Sequence, residues 1–163
     1  MSEQSGVQVP LCSKQRGPQQ NEENDAKTEG TEYVSKPWDR YISDFLIGSN
    51  HVSDAAIIER SSGQYLSSTT GFEIYEDEFE EICQSLCNAQ LAYRRGVTIN
   101  NKHYQTRLAD GSCGIYARTA SDGCSVCQTS CLVIIGVSDH KCKSKSCNEE
   151  VMRLGDYLFS KGM

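Results

Sequence analysis

Residues 97–137, VTINNKHYQTRLADGSCGIYARTASDGCSVCQTSCLVIIGV, carry the pattern that decides the fold. Short runs at 97–99, 104–108, 113–119, 124–128 and 132–137 are separated by Asn100-Asn101, Asp110-Gly111, Asp122-Gly123 and Thr129-Ser130. Asn, Asp and Gly supply the backbone freedom of tight turns, and connections this short join antiparallel neighbours. The segment therefore reads as a meandering antiparallel sheet. Upstream, residues 54–60 and 64–68 flank Ser61-Ser62-Gly63 and read as a β-hairpin of the same kind.

Helical periodicity brackets these strands. Trp38, Tyr41, Ile42 and Phe45 fall at i, i+3, i+4 and i+7, with Pro37 suited to a first helical turn and Gly48 to a helix end. Val151, Leu154, Gly155 and Leu158 repeat the spacing near the other terminus, with Asn148 as the expected N-cap, Glu149 and Glu150 in the first turn and Gly162 after the end. A third helix is predicted over residues 76–86, where Phe79, Ile82, Cys83 and Leu86 share a stripe. There Glu76, Asp77 and Glu78 complement the positive end of the helix dipole, on a face expected to be solvated. The order helix, hairpin, helix, meander, helix defines an α+β domain whose helices cover the faces of an antiparallel sheet.

This domain is expected to occupy residues 37–163. Residues 1–36 are almost free of large apolar side chains and rich in Gln, Glu, Asn, Ser and Gly. Such a segment cannot bury enough surface to offset its ordering entropy, so a disordered tail is expected. Neither a signal peptide nor a membrane span has the long apolar stretch it needs, which points to the cytosol. A net charge of -6 argues against general nucleic-acid binding, because phosphate contacts need clustered Lys and Arg.

Nine cysteines raise two further possibilities. Their odd number and the missing signal peptide speak against a disulfide scaffold. Cys124, Cys127, Cys142 and Cys147 have the look of two zinc-ligand pairs, but residues three apart on a strand point to opposite faces and cannot converge on one ion. No metal and no cofactor is expected, the thiols behaving as small buried hydrophobes. His51, His103 and His140 have no accompanying nucleophile motif, and no phosphate-cradling glycine pattern is present, so catalysis is not expected.

Several strings carry a more specific signal: Trp38-Asp39-Arg40-Tyr41, Asp54-Ala55-Ala56-Ile57-Ile58, Gly136, Cys147-Asn148 and Arg153-Leu154-Gly155-Asp156-Tyr157-Leu158. With the element order, they resemble the profilin family of actin-monomer-binding proteins over residues 38–163. The resemblance implies a profilin-like central antiparallel sheet with the N- and C-terminal helices on one face and further helices on the other. It also implies a monomeric module that binds proline-rich segments across the terminal helices and regulates actin filament assembly and nucleotide exchange on actin. Its partners would be monomeric actin and proline-rich filament elongators.

The polyproline platform implied by the resemblance consists of Trp38, Tyr41, Tyr65, Tyr157 and Leu158. Tyr65 stands where the family has a strand Trp, and Met163 where some members have a terminal aromatic. The chemistry stands apart from the resemblance: a polyproline II helix has no internal hydrogen bonds and is recognised by flat rings with donors that reach its carbonyls. The competing reading is that these rings only pack the helices on the sheet. For actin, the resemblance implies His103, Arg118, Asn148, Glu149 and Arg153, with Leu108 and Ala120 lying where the family often has basic residues.

A second likeness, in Gly48-Ser49-Asn50-His51-Val52, Arg94-Arg95-Gly96 and Ile115-Tyr116-Ala117-Arg118, is to the divergent testis-type branch. It implies an alternative function, weak actin binding and a preference for acidic phospholipids such as phosphoinositides. Arg94, Arg95, Lys141, Lys143 and Lys145 would meet the headgroups, each contributing about 1 kcal/mol near an anionic surface. The plainer reading of the Lys-rich segment is a solvated turn.

Overall fold

A computed structural model describes residues 37–142 and 144–163. The expected tail at residues 1–36 and Lys143 lie outside the described residues. Strands β1 (Asp54–Glu59), β2 (Tyr65–Ser68), β3 (Val97–Ile99), β4 (Lys102–Ala109), β5 (Gly114–Arg118), β6 (Gly123–Gln128) and β7 (Leu132–Ser138) form one antiparallel sheet. Its order is β2-β1-β7-β6-β5-β4-β3. Sequential hairpins account for every neighbour except β1 with β7, which pair from Asp54 opposite Val137 to Glu59 opposite Leu132. Asn100 and Asn101 take φ of 52° and 66°, the doubly left-handed turn that matches strand twist, so β4 starts at Lys102 directly opposite Ile99. Two residues are left out of the pairing: Leu66 between Ser67 and Tyr65, and Arg107 between Thr106 and Leu108.

Both faces of the sheet are covered, and every residue of β7 is buried. One face carries the terminal helices: Ile42 and Leu46 from the first, and Val151, Leu154 and Leu158 from the last, meet Ala55, Ile57 and Ile134. The other face carries α2 (Glu76–Leu86) and α3 (Ala89–Arg95), whose Ile82, Leu86 and Ala92 meet Ile58, Val126 and Ile135. The expected layer arrangement is therefore the observed one.

The details of the helices differ from expectation. The first helix begins as α1 (Pro37–Arg40), widens into a π-helical turn at Tyr41–Leu46 and tightens into a 3-10 turn at Ile47–Ser49. The N–H of Ile47 donates to the carbonyl of Ile42, five residues back. Asn50, at φ 67°, takes the left-handed capping position expected near Gly48, since Asn tolerates that backbone almost as Gly does. Helix α3 is an addition: Asn88 Oδ1 accepts from the Leu91 N–H at 3.1 Å, and Gly96 at φ 74° ends it.

Helix α4 (Ser144–Ser160) starts one turn before the expected cap, so Asn148 lies inside it and its Oδ1 accepts from Ser125 Oγ at 2.7 Å. Glu78 also departs from expectation. Its side chain is buried rather than solvated, and its two oxygens accept from the N–H groups of Asn100 and Asn101, both at 2.7 Å, and of Tyr75 at 3.1 Å. One carboxylate thus ties the start of α2 to the β3–β4 turn.

Helix α4 seats directly on the strands because glycine removes the obstruction on both sides. A Cβ on Gly155 would overlap the sulfur of Cys127 on β6, and one on Gly136 of β7 would lie 2.6 Å from Cγ2 of Val151. This close approach fixes the depth of α4, and with it the position of every side chain that α4 presents to the N-terminal helix.

Candidate functional site

Helix periodicity places Trp38, Tyr41 and Phe45 on one stripe of the N-terminal helix, and the depth of α4 brings Tyr157 against them. Ring centroids are 5.8 Å apart for Trp38 and Tyr41, 5.8 Å for Tyr41 and Phe45, 6.1 Å for Tyr41 and Tyr157, and 5.9 Å for Phe45 and Tyr157. The last pair is stacked, at 24° between planes. Lys161 Nζ sits 5.3 Å from the Tyr157 ring centre, within cation–π range. Phe45 is 47% exposed and Tyr157 39%, so the rings pack against one another while leaving an open aromatic surface. Asp39 anchors the start of this helix by accepting from the Ser67 hydroxyl on β2.

Two expected platform residues are elsewhere. Leu158 is fully buried beneath the rings, because residues adjacent on an α-helix differ by about 100° and Tyr157 already takes the outward direction. Tyr65 lies on the opposite face of the sheet. Leu66 is the unpaired residue of a bulge, so Tyr65 aligns with the α2-facing Ile58 while Leu66 packs against the cluster beneath Trp38 and Tyr41. The Tyr65 hydroxyl is committed to Ile74, accepting from its N–H at 2.7 Å and donating to its carbonyl at 3.0 Å, and burial pushes the phenol pKa up. Phe45 joins the rings instead. Its signal was its i+4 spacing from Tyr41. Met163 is half-buried on the same cluster, its N–H donating to the Leu158 carbonyl at 3.0 Å.

The other expected surface is only partly assembled. Gln105 pairs with Arg118, and alternation along β4 puts His103 on their face, outward from buried Tyr104 and Thr106. His103 Nε2 lies 2.9 Å from the Arg95 carbonyl, to which it donates. Leu108, 61% exposed, pairs with Tyr116 on this face, where Asn148 and Met152 of α4 border a shallow cavity of about 280 Å³. Glu149 projects into solvent. Arg153 lies on the flank of α4 that faces Phe45, paired with Glu150 at 2.8 Å, and is not part of the strand surface.

The basic residues do not converge either: Arg94 and Arg95 end α3 on one face of the sheet, while Lys145 belongs to the first turn of α4 on the other. Lys141 is exposed in the turn before α4.

Cys124 and Cys127 belong to the cores on opposite faces, as strand alternation requires, so they cannot share a metal ion. Burial pushes the thiols of Cys127 and Cys147 up to about 12, helped by Asp156 and Cys142 respectively, and pushes Cys124 up as well. A thiol held neutral by folding contributes stability that is complete below its unfolded pKa near 9 and is lost as pH rises toward 12. Unfolding free energy from urea titrations should therefore drop above pH 9, by about 1.4 kcal/mol per pH unit for each such thiol, with a shallower slope in Cys127→Ala. In the folded state iodoacetamide should label exposed Cys87, Cys113 and Cys131 well before these three.

A sheet covered on both faces thus carries an open surface of aromatic rings between its terminal helices. The profilin family model matches residues 36–163, and the chain belongs to that family. It is 27% identical over 125 residues to profilin-1 of Dictyostelium discoideum and, equally, to profilin-1A of Acanthamoeba castellanii, alignments that cover 77% of this chain and 98% of each relative. Among solved structures, profilin II of Acanthamoeba castellanii superposes with a TM-score of 0.71 at 26% identity, covering 77% of this chain and 99% of that one. Mouse profilin IIa, crystallised in complex with a double repeat from the FH1 domain of mDia1, shares the fold with a TM-score of 0.65 at 18% identity, over 78% of this chain and all of that one.

Proposed function

We propose that this protein binds proline-rich segments in the groove between its terminal helices and monomeric actin on the strand face beside α4, and so regulates actin filament assembly and nucleotide exchange on actin. The observation that carries this reading is the continuous ring path from Trp38 through Tyr41 to Tyr157 and Phe45. Family membership supports both halves, and the FH1 repeat bound by mouse profilin IIa is a ligand of the chemistry the groove suits. Pyrrolidine rings stack on the aromatic faces, while the indole N–H of Trp38 and the phenol of Tyr157 donate to the peptide carbonyls that a polyproline II helix leaves free. The module performs no chemistry itself. Its effect comes from holding two partners at once.

Trp38 is the only tryptophan, so its emission reports on the groove directly. Titration with a ten-proline peptide should give a saturable shift, and Tyr157→Ala should weaken the calorimetric affinity by about tenfold or more, as expected for an aromatic anchor. No shift at millimolar peptide would refute the reading. For the second surface, the protein should slow spontaneous polymerisation of actin monomers. The apolar Leu108 and Met152 would provide the interface centre, with Arg118 and His103 at its edge.

A further inference from the structure

The α2 side of the sheet holds a different feature, at the end where β1 begins and β7 stops. A cavity of about 230 Å³ opens there among Asp54, Lys102, Asp122 and Asp139. Phe72, Tyr104 and Val137 supply apolar wall and belong to the α2-side core. Tyr104 is only 4% exposed, yet its hydroxyl makes no hydrogen bond to any described residue and is not sealed inside the core, so it opens on this cavity. Burial pushes the phenol pKa well up, which keeps the group an O–H. Leaving a polar group unmet at such depth is costly. The neighbouring side-chain donors are already committed: Thr69 Oγ1 to Asp54 at 2.8 Å, Ser53 Oγ to the Val137 carbonyl at 3.0 Å, and Lys102 to Asp122. The Lys102–Asp122 pair is neutral as a unit, while Asp54 and Asp139 have no salt-bridge partner among the described residues. No group of three acidic, His or Cys side chains among the described residues converges closely enough to hold a metal ion.

We infer that this cavity binds a small aliphatic diamine, with one ammonium at Asp54 and the Tyr104 hydroxyl and the other at Asp139. What the walls offer a ligand is negative charge, acceptor oxygens and a short stretch of apolar surface. An ammonium is the complement, because it brings three donors and no acceptor. The methylenes between two ammonium groups lie against Phe72 and Val137, as the stem of a lysine lies along apolar surface. Asp54 stands opposite Val137 in the β1–β7 pairing, and Asp139 follows Val137 by two residues and lines the same cavity. The two carboxylates are therefore offset by roughly 7 Å along the strand direction, a span that about four carbons between two amines can bridge. Lys102 is already engaged, held by Asp122 and placed 5.5 Å from the centre of the Tyr104 ring. The site lies on the face of the sheet that carries α2 and owes nothing to the groove between the terminal helices.

The test is titration of the intact protein with 1,4-diaminobutane, 1-aminobutane, 1,4-butanediol and an N-acetyl-lysine amide, followed by calorimetry and by backbone amide chemical shifts. The diamine should bind saturably and about 3- to 5-fold more tightly than the monoamine, with the diol showing no binding. Its shift changes should centre on Asp54, Tyr104 and Asp139. Tyr104→Phe keeps the ring and removes only the unmet hydroxyl, and should weaken the diamine about 3- to 10-fold. Asp54→Asn should reduce the diamine to the affinity of the monoamine. If the diol binds as well as the diamine, if shifts spread over the acidic surface, or if both variants bind the diamine unchanged, the inference fails. It fails equally if no amine binds, the hydroxyl then being met by water alone. An N-acetyl-lysine amide that matches the diamine would also overturn it, in favour of a basic side chain from a partner protein. The comparison of the four compounds on the unmodified protein decides the matter even if a variant folds poorly.

Discussion

Glu78→Ala is expected to lower unfolding free energy by about 3–5 kcal/mol, as much as truncating a fully buried aliphatic side chain on the α2 side of the sheet. The carboxylate accepts from three backbone N–H groups, those of Tyr75, Asn100 and Asn101, at a site shielded from water. An alanine leaves these donors without partners. Two of them belong to a turn whose residues both have positive φ, so the substitution removes the support for a backbone that is intrinsically costly. Glu78→Gln should fall between the two, because a single amide oxygen cannot serve the donors that two carboxylate oxygens share. The readouts are the urea midpoint and amide hydrogen exchange, which should accelerate most at Asn100 and Asn101. A loss below about 1 kcal/mol would mean that Glu78 is no more than a solvated surface charge.

The second large effect carries a sign that is unusual for its substitution. In the interior of an exposed helix, Gly→Ala stabilises by roughly 1 kcal/mol, because alanine loses less backbone entropy. Gly155→Ala should instead destabilise by about 1–3 kcal/mol or more, since the new Cβ overlaps the Cys127 sulfur on a β-strand that cannot yield. The pair should be strongly coupled. In Cys127→Ala the sulfur is gone, and adding Gly155→Ala to that background should cost little or even recover stability. Thermal unfolding of the four proteins gives the coupling energy. A stabilising effect of Gly155→Ala in the unmodified background would show that α4 sits farther from β6 than described. The substitution should also weaken proline-peptide binding, because lifting α4 displaces Tyr157 from Tyr41 and Phe45.

Much of the fold was legible because its signals are local. Asn100-Asn101 and Asp122-Gly123 mark turns by backbone chemistry alone, and the stripe of Ile82 and Leu86 marks α2 at its exact limits. The pairing of β1 with β7 has no such signature: it joins residues about eighty positions apart and is selected by the burial of both strands. Helix α3 spans only Ala89–Arg95, too short for a periodic pattern to stand out.

At the candidate site, Trp38 and Tyr41 were readable from helix spacing, and Tyr157 from the resemblance in Arg153-Leu154-Gly155-Asp156-Tyr157-Leu158. The strand residue was not, because the bulge at Leu66 shifts by one position which side chain reaches which face, and a bulge has no reliable mark in composition. Arg153 lies apart from Asn148 for a geometric reason: the two are five residues apart, which turns them to different flanks of the same helix.

Those flanks of α4 have a mechanical consequence. Glu150, Leu154 and Tyr157 line the groove against the N-terminal helix, while Asn148 and Met152 border β5 on the other side. One rigid rod of seventeen residues, roughly 25 Å long, therefore supplies a wall to each candidate surface. Under the proposed function it acts as a fixed spacer: a proline-rich chain and an actin monomer are held at one separation and orientation. Capture of the first then raises the local concentration of the second near whatever the proline-rich chain is tethered to, with no change of shape in the module required.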